Sequence, residues 1–308
     1  MSDRAVTVCI PAFNAERFIA ETIESALAQT WPRVEVVVSV DRSADRTAEI
    51  VGRYAAREAV RMIQQPNRLG WVGNTNAALR MARTPFAMNL PHDDGLDRRY
   101  VAACVDALAA TPSAAVAFSD IAWAEALPAA TQPSAIGPLE DRLSSLMREQ
   151  FRGIAVRGVV DRRRAPRHLL PGFALAGFAA DTLWCARMAC QGGLVRVPEV
   201  LYRKRWPLTS VLRAWFKGAR GREGDEMWVV HCTEMLATVL MHAPGLARSR
   251  RFRQAVRARV LHEQPLGPWG RGVSDLIAPG RPLLPQMLTI YARVALRRPH
   301  YSWQTMTR

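Results

Sequence analysis

Up to about residue 120 the chain alternates short apolar runs with amphipathic helical patterns, and this alternation restricts the fold more than any other feature. AVTVCI (Ala5 to Ile10), VEVVVSV (Val34 to Val40), VRMIQQ, TPFAMNLP and AAVAFSD read as strands. Between the first two, Phe18, Ile19, Thr22, Ile23, Ala26 and Leu27 recur at helical spacing, with Asn14 as the expected N-cap and Glu16 in the first turn. ADRTAEIVGRYAARE, Val72 to Met81 and Arg98 to Ala110 supply three further helices. Strand–helix–strand repetition requires crossover connections. The expected class is therefore α/β, with a mainly parallel sheet covered by helices on both faces.

In such sheets ligands lie beyond the carboxyl ends of the strands. Three polar clusters fall there: Pro11–Asn14 after the first strand, Asp41–Asp45 after the second, and His92–Asp94 after the fourth. The last is the most informative. Adjacent Asp93 and Asp94 repel each other and raise each other's pKa unless something cationic stands between them. Either water solvates them on a loop, with Asp97 capping the next helix, or they hold a cation. Asp45 is read as a helix cap for the segment starting at Arg46, or as a further polar group of the rim.

The remaining chain is less regular. Residues 127–140 (LPAATQPSAIGPLE) read as a loop. Helical pattern resumes near Asp141 and again from about Ala179 to Gln191, followed by a strand, LVRVPEVLYRKR, and a helical region after Trp206. The chain has 308 residues, 49% of them hydrophobic, which suits one large domain with an appendage and excludes a disordered chain. The most apolar stretch, Met227 to Ala247, contains Glu234 and two histidines, so it reads as a buried helix rather than a membrane span. No signal peptide is expected from the first residues. Cys9, Cys104, Cys185, Cys190 and Cys232 sit singly in apolar segments, as reduced core thiols of a cytoplasmic protein do. Charge is uneven: 27 of the 42 Lys and Arg but only 9 of the 27 Asp and Glu lie beyond residue 150. That half suits an anionic surface, and a peripheral contact with the inner face of an anionic membrane is one expectation. A solvated basic extension or an oligomer contact is the other. No nucleic-acid partner is expected, because interleaved aromatics and a binding motif are absent.

VTVCIPAFNAERFIAETIESALAQTWPRVEVVVSVDRSADRTAEIV resembles the opening of the family 2 glycosyltransferases of GT-A fold. NRLGWVGNTNAALRMA, PHDD and GFAADTLWCARMACQGGLVRVPEVLYRKRW are similar to later motifs of that family, in the same order, over about Val6 to Arg205. The resemblance implies an inverting, nucleotide-sugar-dependent transferase domain over residues 1–205. Its nucleotide-binding part would span about 1–125 and its acceptor part about 141–205, with a basic helical extension over 206–308. It implies a divalent cation, Mn²⁺ or Mg²⁺, at Asp94, with Asp93 on the metal or the ribose. Asp41 would meet the base or ribose. Pro11, Ala12 and Phe13 would form the wall under the base, and Gly70 would allow close backbone approach. Arg203 and Arg205 would bind the donor, and Asp181 would be the general base. The implied partners are a nucleotide-sugar donor, UDP-sugar by default, and a glycan, lipid-linked or small-molecule acceptor. Val40, Arg42, Ala180 and Arg205 depart from the family pattern; Arg42 replaces a usual glycine and Arg205 a usual histidine. These departures keep a non-catalytic, nucleotide- or glycan-binding relative as the alternative. A nucleotidyltransferase is disfavoured because PAFNAERF lacks a glycine-rich basic loop.

Overall fold

The computed structural model describes residues 4–56, 60–123, 128–148, 153–171, 180–205, 222–261 and 273–297. The chain forms two compact units. The first comprises Met1–Ile136, Gly153–Leu170 and Gln191–Trp206; the second comprises Gly137–Arg152, Pro171–Cys190 and Pro207–Arg308.

The first unit holds one eight-stranded sheet. Its strands are β1 (Val6–Ala12), β2 (Val34–Val40), β3 (Val60–Gln64), β4 (Phe86–Asn89), β5 (Gly95–Leu96), β6 (Ala114–Trp123), β7 (Val159–Asp161) and β8 (Gly193–Lys204). They lie in the order β3-β2-β1-β4-β7-β6-β8-β5. β3, β2, β1 and β4 run parallel, as do β6 and β8. β7 runs antiparallel between β4 and β6, and β5 antiparallel on β8. The mainly parallel sheet expected from the sequence is therefore present, with two short reversed strands that periodicity did not reveal. Three residues (VVD) and two residues (GL) are too short to carry a period. β7 fits because Gly158 precedes it. A Cβ there would lie 2.4 Å from the Ala117 carbonyl oxygen.

β1 and β2 are apolar almost throughout because helices cover both faces. α1 (Ile19–Leu27), α2 (Thr47–Ala55), α3 (Gly70–Arg80) and α4 (Tyr100–Ala110) connect the strands. Right-handed crossovers put α1 and α2 on one face and α3 on the other. α1 buries Ile19, Thr22, Ile23 and Ala26, most of the face the spacing foretold. The helix starts later than expected, however, and Asn14 is not its cap. Asn14 takes a left-handed backbone (φ 45) and ties the first rim loop to the second. Its N–H donates to Ser43 Oγ at 3.1 Å, and its Oδ1 accepts from the Ala44 N–H at 2.9 Å.

The second unit is helical: α5 (Leu139–Arg148), α6 (Ala180–Gln191), α7 (Arg222–His242), α8 (Arg250–Val260), α9 (Val273–Leu276) and α10 (Leu283–Arg297). Arg142 Nε of α5 donates to the Ala189 carbonyl of α6 at 2.6 Å. Ser249 caps α8, accepting from the Phe252 N–H at 3.0 Å, and its hydroxyl donates to Glu140 of α5 at 2.6 Å. α7 is buried along most of its length, His231 and Glu234 included, as the sequence indicated. No helix of the described residues is long and apolar enough to cross a membrane. The helical pattern expected over 206–221 and 262–272 lies outside the described residues.

Candidate active site

The crevice forms at the carboxyl ends of β1 and β4, where the strand order reverses. From β1 the chain winds outward to β2 and β3, then crosses back to β4 on the other side. His92 bridges the two rims, its Nδ1 3.1 Å from the Pro11 carbonyl oxygen. Pro11 and Ala12 are the last residues of β1, and Phe13 is the first beyond it.

On the β2 side Asp41 is buried, 2% exposed. Its Oδ1 accepts from the Leu69 N–H at 2.6 Å and its Oδ2 from the Gly70 N–H at 2.9 Å. The carboxylate therefore caps the start of α3, a role the sequence reading did not assign. Gly70 has φ 68, a left-handed value that a side chain resists, and this places its N–H on Asp41. Beside it, Arg42 holds φ 37 where relatives by resemblance carry glycine. Asp45 precedes Arg46, the N-cap residue of α2, and ties the helix start to the first rim loop: its Oδ1 accepts from the Thr47 N–H at 3.0 Å and its Oδ2 from the Glu16 N–H at 3.0 Å. Partial burial pushes the Asp45 carboxyl up, but the bonds from Thr47 and Glu16 outweigh it and hold the group below the usual value. The guanidinium of Arg68 lies 3.6 Å from the centre of the Phe13 ring, so the expected base wall carries a cationic layer.

On the β4 side, Pro91–Asp94 make a tight turn, with the Asp94 N–H on the Pro91 carbonyl at 3.1 Å. Thr22 of α1 pins it by donating to the carbonyls of His92 and Asp94 at 2.8 and 2.9 Å. The two carboxylates part company here. Asp93 is half-buried and has no hydrogen bond or ion pair among the described residues. Asp94 turns inward and is 3% exposed. Its Oδ2 accepts from the Tyr202 hydroxyl at 2.7 Å and sits 3.6 Å from Arg157 Nε; its Oδ1 accepts from the Arg205 N–H at 3.2 Å. Burial raises the Asp94 pKa, Arg157 opposes that rise, and Asp93 adds to it. The question posed by adjacent carboxylates thus has a structural answer: one is half-exposed and unpaired among the described residues, the other turns inward onto the half-buried Arg157. Tyr202 stood in the sequence as part of the strand ending in YRK. Arg157 comes from a 3-10 turn (Ile154–Arg157) that carried no sequence signal.

Asp94 also lines a cleft of 310 Å³ with Glu21, Trp123, Arg203, Lys204 and Arg205. Lys204 Nζ lies 5.6 Å from the centre of the Trp123 ring. The first unit therefore gathers Pro11, Ala12, Phe13, Asp41, Gly70, Asp93, Asp94, Arg203 and Arg205 on one rim of one sheet. Asp181 belongs to the second unit, in the first turn of α6, with its Oδ1 2.8 Å from the Thr182 N–H. No cluster of three or more His, Cys, Asp or Glu suited to a metal occurs among the described residues. Asp93 and Asp94 nevertheless fit a hard cation that takes its remaining ligands from phosphate and water. Each Asp94 oxygen accepts one protein N–H or O–H and keeps a second lone pair.

Residues 7–154 match the family model described as glycosyl transferase family 2. The chain is 37% identical over 102 residues to the chondroitin synthase of Escherichia coli, covering 33% of this chain and 15% of that protein. It is 32% identical over 89 residues to WfaP of Escherichia coli, named as a UDP-Glc:alpha-D-GlcNAc-diphosphoundecaprenol beta-1,3-glucosyltransferase, covering 29% and 35%. The matched stretch is thus a minor part of each curated relative. S. aureus TarS 1–349 in complex with UDP-GlcNAc superposes with a TM-score of 0.58 at 17% identity, covering 96% of this chain and 93% of that one. The Pyrobaculum calidifontis mannosyltransferase PcManGT, in complex with GDP-Man and Mn²⁺, gives 0.52 at 19% identity, covering 98% and 83%. At these identities the structural likeness shows the GT-A fold. The likeness to glycosyl transferase family 2 thus spans residues 7–154, just under half of the chain.

Proposed function

We propose that this chain is an inverting, metal-dependent glycosyltransferase that moves a sugar from a nucleoside-diphosphate donor to an acceptor hydroxyl. The observation that carries the reading is the convergence, at one switch point of one sheet, of a flat cationic wall (Phe13 with Arg68), a buried carboxylate (Asp41), a carboxylate pair (Asp93–Asp94) and the cations Arg203 and Arg205. A base stacks on the wall, and the remaining lone pairs of Asp41 accept from an imide N–H or ribose hydroxyl. UDP is the default nucleotide: TarS is known in complex with UDP-GlcNAc and WfaP takes UDP-Glc by name.

Asp94, with Asp93 beside it, would hold a divalent cation, which would supply Lewis-acid neutralisation of the leaving diphosphate. Arg203 and Arg205 add charge-assisted hydrogen bonds to the same oxygens. Asp181 removes the acceptor hydroxyl proton as that oxygen attacks C1. The C1–O bond to the diphosphate breaks in the same displacement, so the anomeric centre inverts. The acceptor is a glycan, a lipid-linked saccharide or a small molecule, in cell-surface glycan or glycoconjugate synthesis. The enzyme works in the cytoplasm or peripherally on the inner membrane face. In this reading the catalytic domain extends over residues 1–205 and the basic extension over 206–308.

The test is a transfer assay with labelled UDP- and GDP-sugars, reading the product anomer. Asp181→Asn should abolish transfer and leave nucleotide affinity unchanged. Transfer that survives in that variant, or a retained anomer, removes Asp181 from the base role. Nucleotide binding without any transfer by the wild type would favour the non-catalytic reading, for which the strained Arg42 is the specific motive.

A further inference from the structure

Arg205 makes two unlike contacts. Its main-chain N–H holds Asp94 Oδ1. Its side chain turns the other way, onto α1, where it pairs with the Glu21 carboxylate and lies 4.7 Å from the centre of the Phe18 ring. Phe18 and Glu21 are three residues apart at the start of α1, so they offer one seat to the guanidinium. Glu21, Asp94 and Arg205 line the same cleft. A site built to take a polyanion has little use for an unpaired carboxylate at its mouth. Here the carboxylate is neutralised by the cation best suited to grip phosphate.

We propose that Glu21 is a positioning residue that parks Arg205 against α1, and that the guanidinium leaves Glu21 for the donor's diphosphate. The inference rests on the reading of this cleft as the diphosphate site. The side chains of Arg205 and Glu21 are 40% and 65% exposed, so water screens their attraction and the pair is weak. A diphosphate carries more charge than one carboxylate and matches the planar fork of arginine with two oxygens. The exchange therefore runs toward the ligand. Residue 205 swings only its side chain, because its N–H stays on Asp94. Glu21 sets how much of the diphosphate's binding is consumed in freeing Arg205.

Calorimetry with UDP and, separately, inorganic pyrophosphate, each with Mg²⁺, tests this on four proteins: wild type, Glu21→Gln, Arg205→Met and the double variant. Parking predicts that Glu21→Gln tightens both ligands by about threefold to fivefold, and that this gain shrinks to less than about twofold on the Arg205→Met background. Arg205→Lys, which keeps the charge without the fork, should lie between wild type and Arg205→Met. An equal gain on both backgrounds means that Glu21 acts only by repulsion, and overturns the proposal while leaving the diphosphate site intact. A loss of affinity in Glu21→Gln also overturns it. If pyrophosphate binds with the expected pattern and UDP does not bind, the parking stands and the nucleotide reading falls. If neither ligand binds the wild type, both fall.

Discussion

Replacing Asp41 tests whether the carboxylate expected to touch the nucleotide is also a structural cap. Its two oxygens accept from consecutive N–H groups, at 2.6 Å from Leu69 and 2.9 Å from Gly70, and the residue is 2% exposed. Asp41→Ala removes both acceptors at once. Each orphaned donor costs about 1–2 kcal/mol, so the variant should lose about 2–4 kcal/mol of stability. Asp41→Asn keeps one acceptor and turns an N–H toward the other donor, for a loss of about 1–2 kcal/mol. Urea denaturation, read on the transition of the first unit, gives the global effect. Hydrogen exchange at Leu69 and Gly70 gives the local one, because these amides should lose protection first. An Asp41→Ala protein within about 0.5 kcal/mol of wild type, with both amides still protected, would refute the capping role. Loss of nucleotide binding in that variant could then be assigned to Asp41 alone.

Three further outcomes follow from the packing and charge. Gly158→Ala should destabilise the first unit by about 3 kcal/mol or more, since the new Cβ would sit 2.4 Å from the Ala117 carbonyl oxygen; an unchanged urea midpoint would show that β6 and β7 can separate. Burial holds the His231 pKa down to about 3, with Arg259 adding to the effect, from an ordinary value of 6.5. Its stability contribution is therefore full above pH 6.5 and lost as pH falls toward 3. Between pH 6.5 and pH 4.5 the wild type should lose about 2 kcal/mol more than His231→Gln, and parallel pH curves for the two proteins would contradict the buried neutral imidazole. α8 exposes Arg250, Arg253 and Arg257 on one face. If this face meets lipid, the protein should sediment with anionic but not neutral vesicles, and Arg250→Glu, Arg253→Glu and Arg257→Glu together should abolish it, at about 1 kcal/mol per arginine. Equal binding to neutral vesicles, or binding insensitive to salt, would exclude that contact.

The sheet was legible because β1, β2, β4 and β6 are largely buried and read as continuous apolar runs, with helical periods between them. The rim was legible for the same reason: strand ends were clear, so Pro11–Phe13, Asp41 and Asp93–Asp94 could be placed at the carboxyl ends of the strands. What stayed hidden depends on contacts between segments distant in sequence. β7 is three residues placed by strands β4 and β6. Arg157 reaches Asp94 from a turn more than sixty residues downstream. Asp41 could be recognised as a rim residue, but not as the cap of a helix that begins twenty-nine residues later. Asn14 carried an N-cap signature, yet tertiary bonds to Ser43 and Ala44 claimed it instead. The grouping of residues 137–152 and 171–190 with 207–308 arises likewise from helix packing across the chain.

The central claim is a metal-dependent nucleotide site built on Asp94. Calorimetry of UDP, GDP, dTDP and CDP, with and without Mn²⁺, on wild type and Asp94→Ala, tests it most directly. One nucleotide should bind the wild type, depend on Mn²⁺, and lose at least about tenfold in affinity in the variant, the factor that corresponds to about 1.4 kcal/mol. Absence of binding by a folded wild type, or binding indifferent to both Mn²⁺ and the substitution, would contradict it.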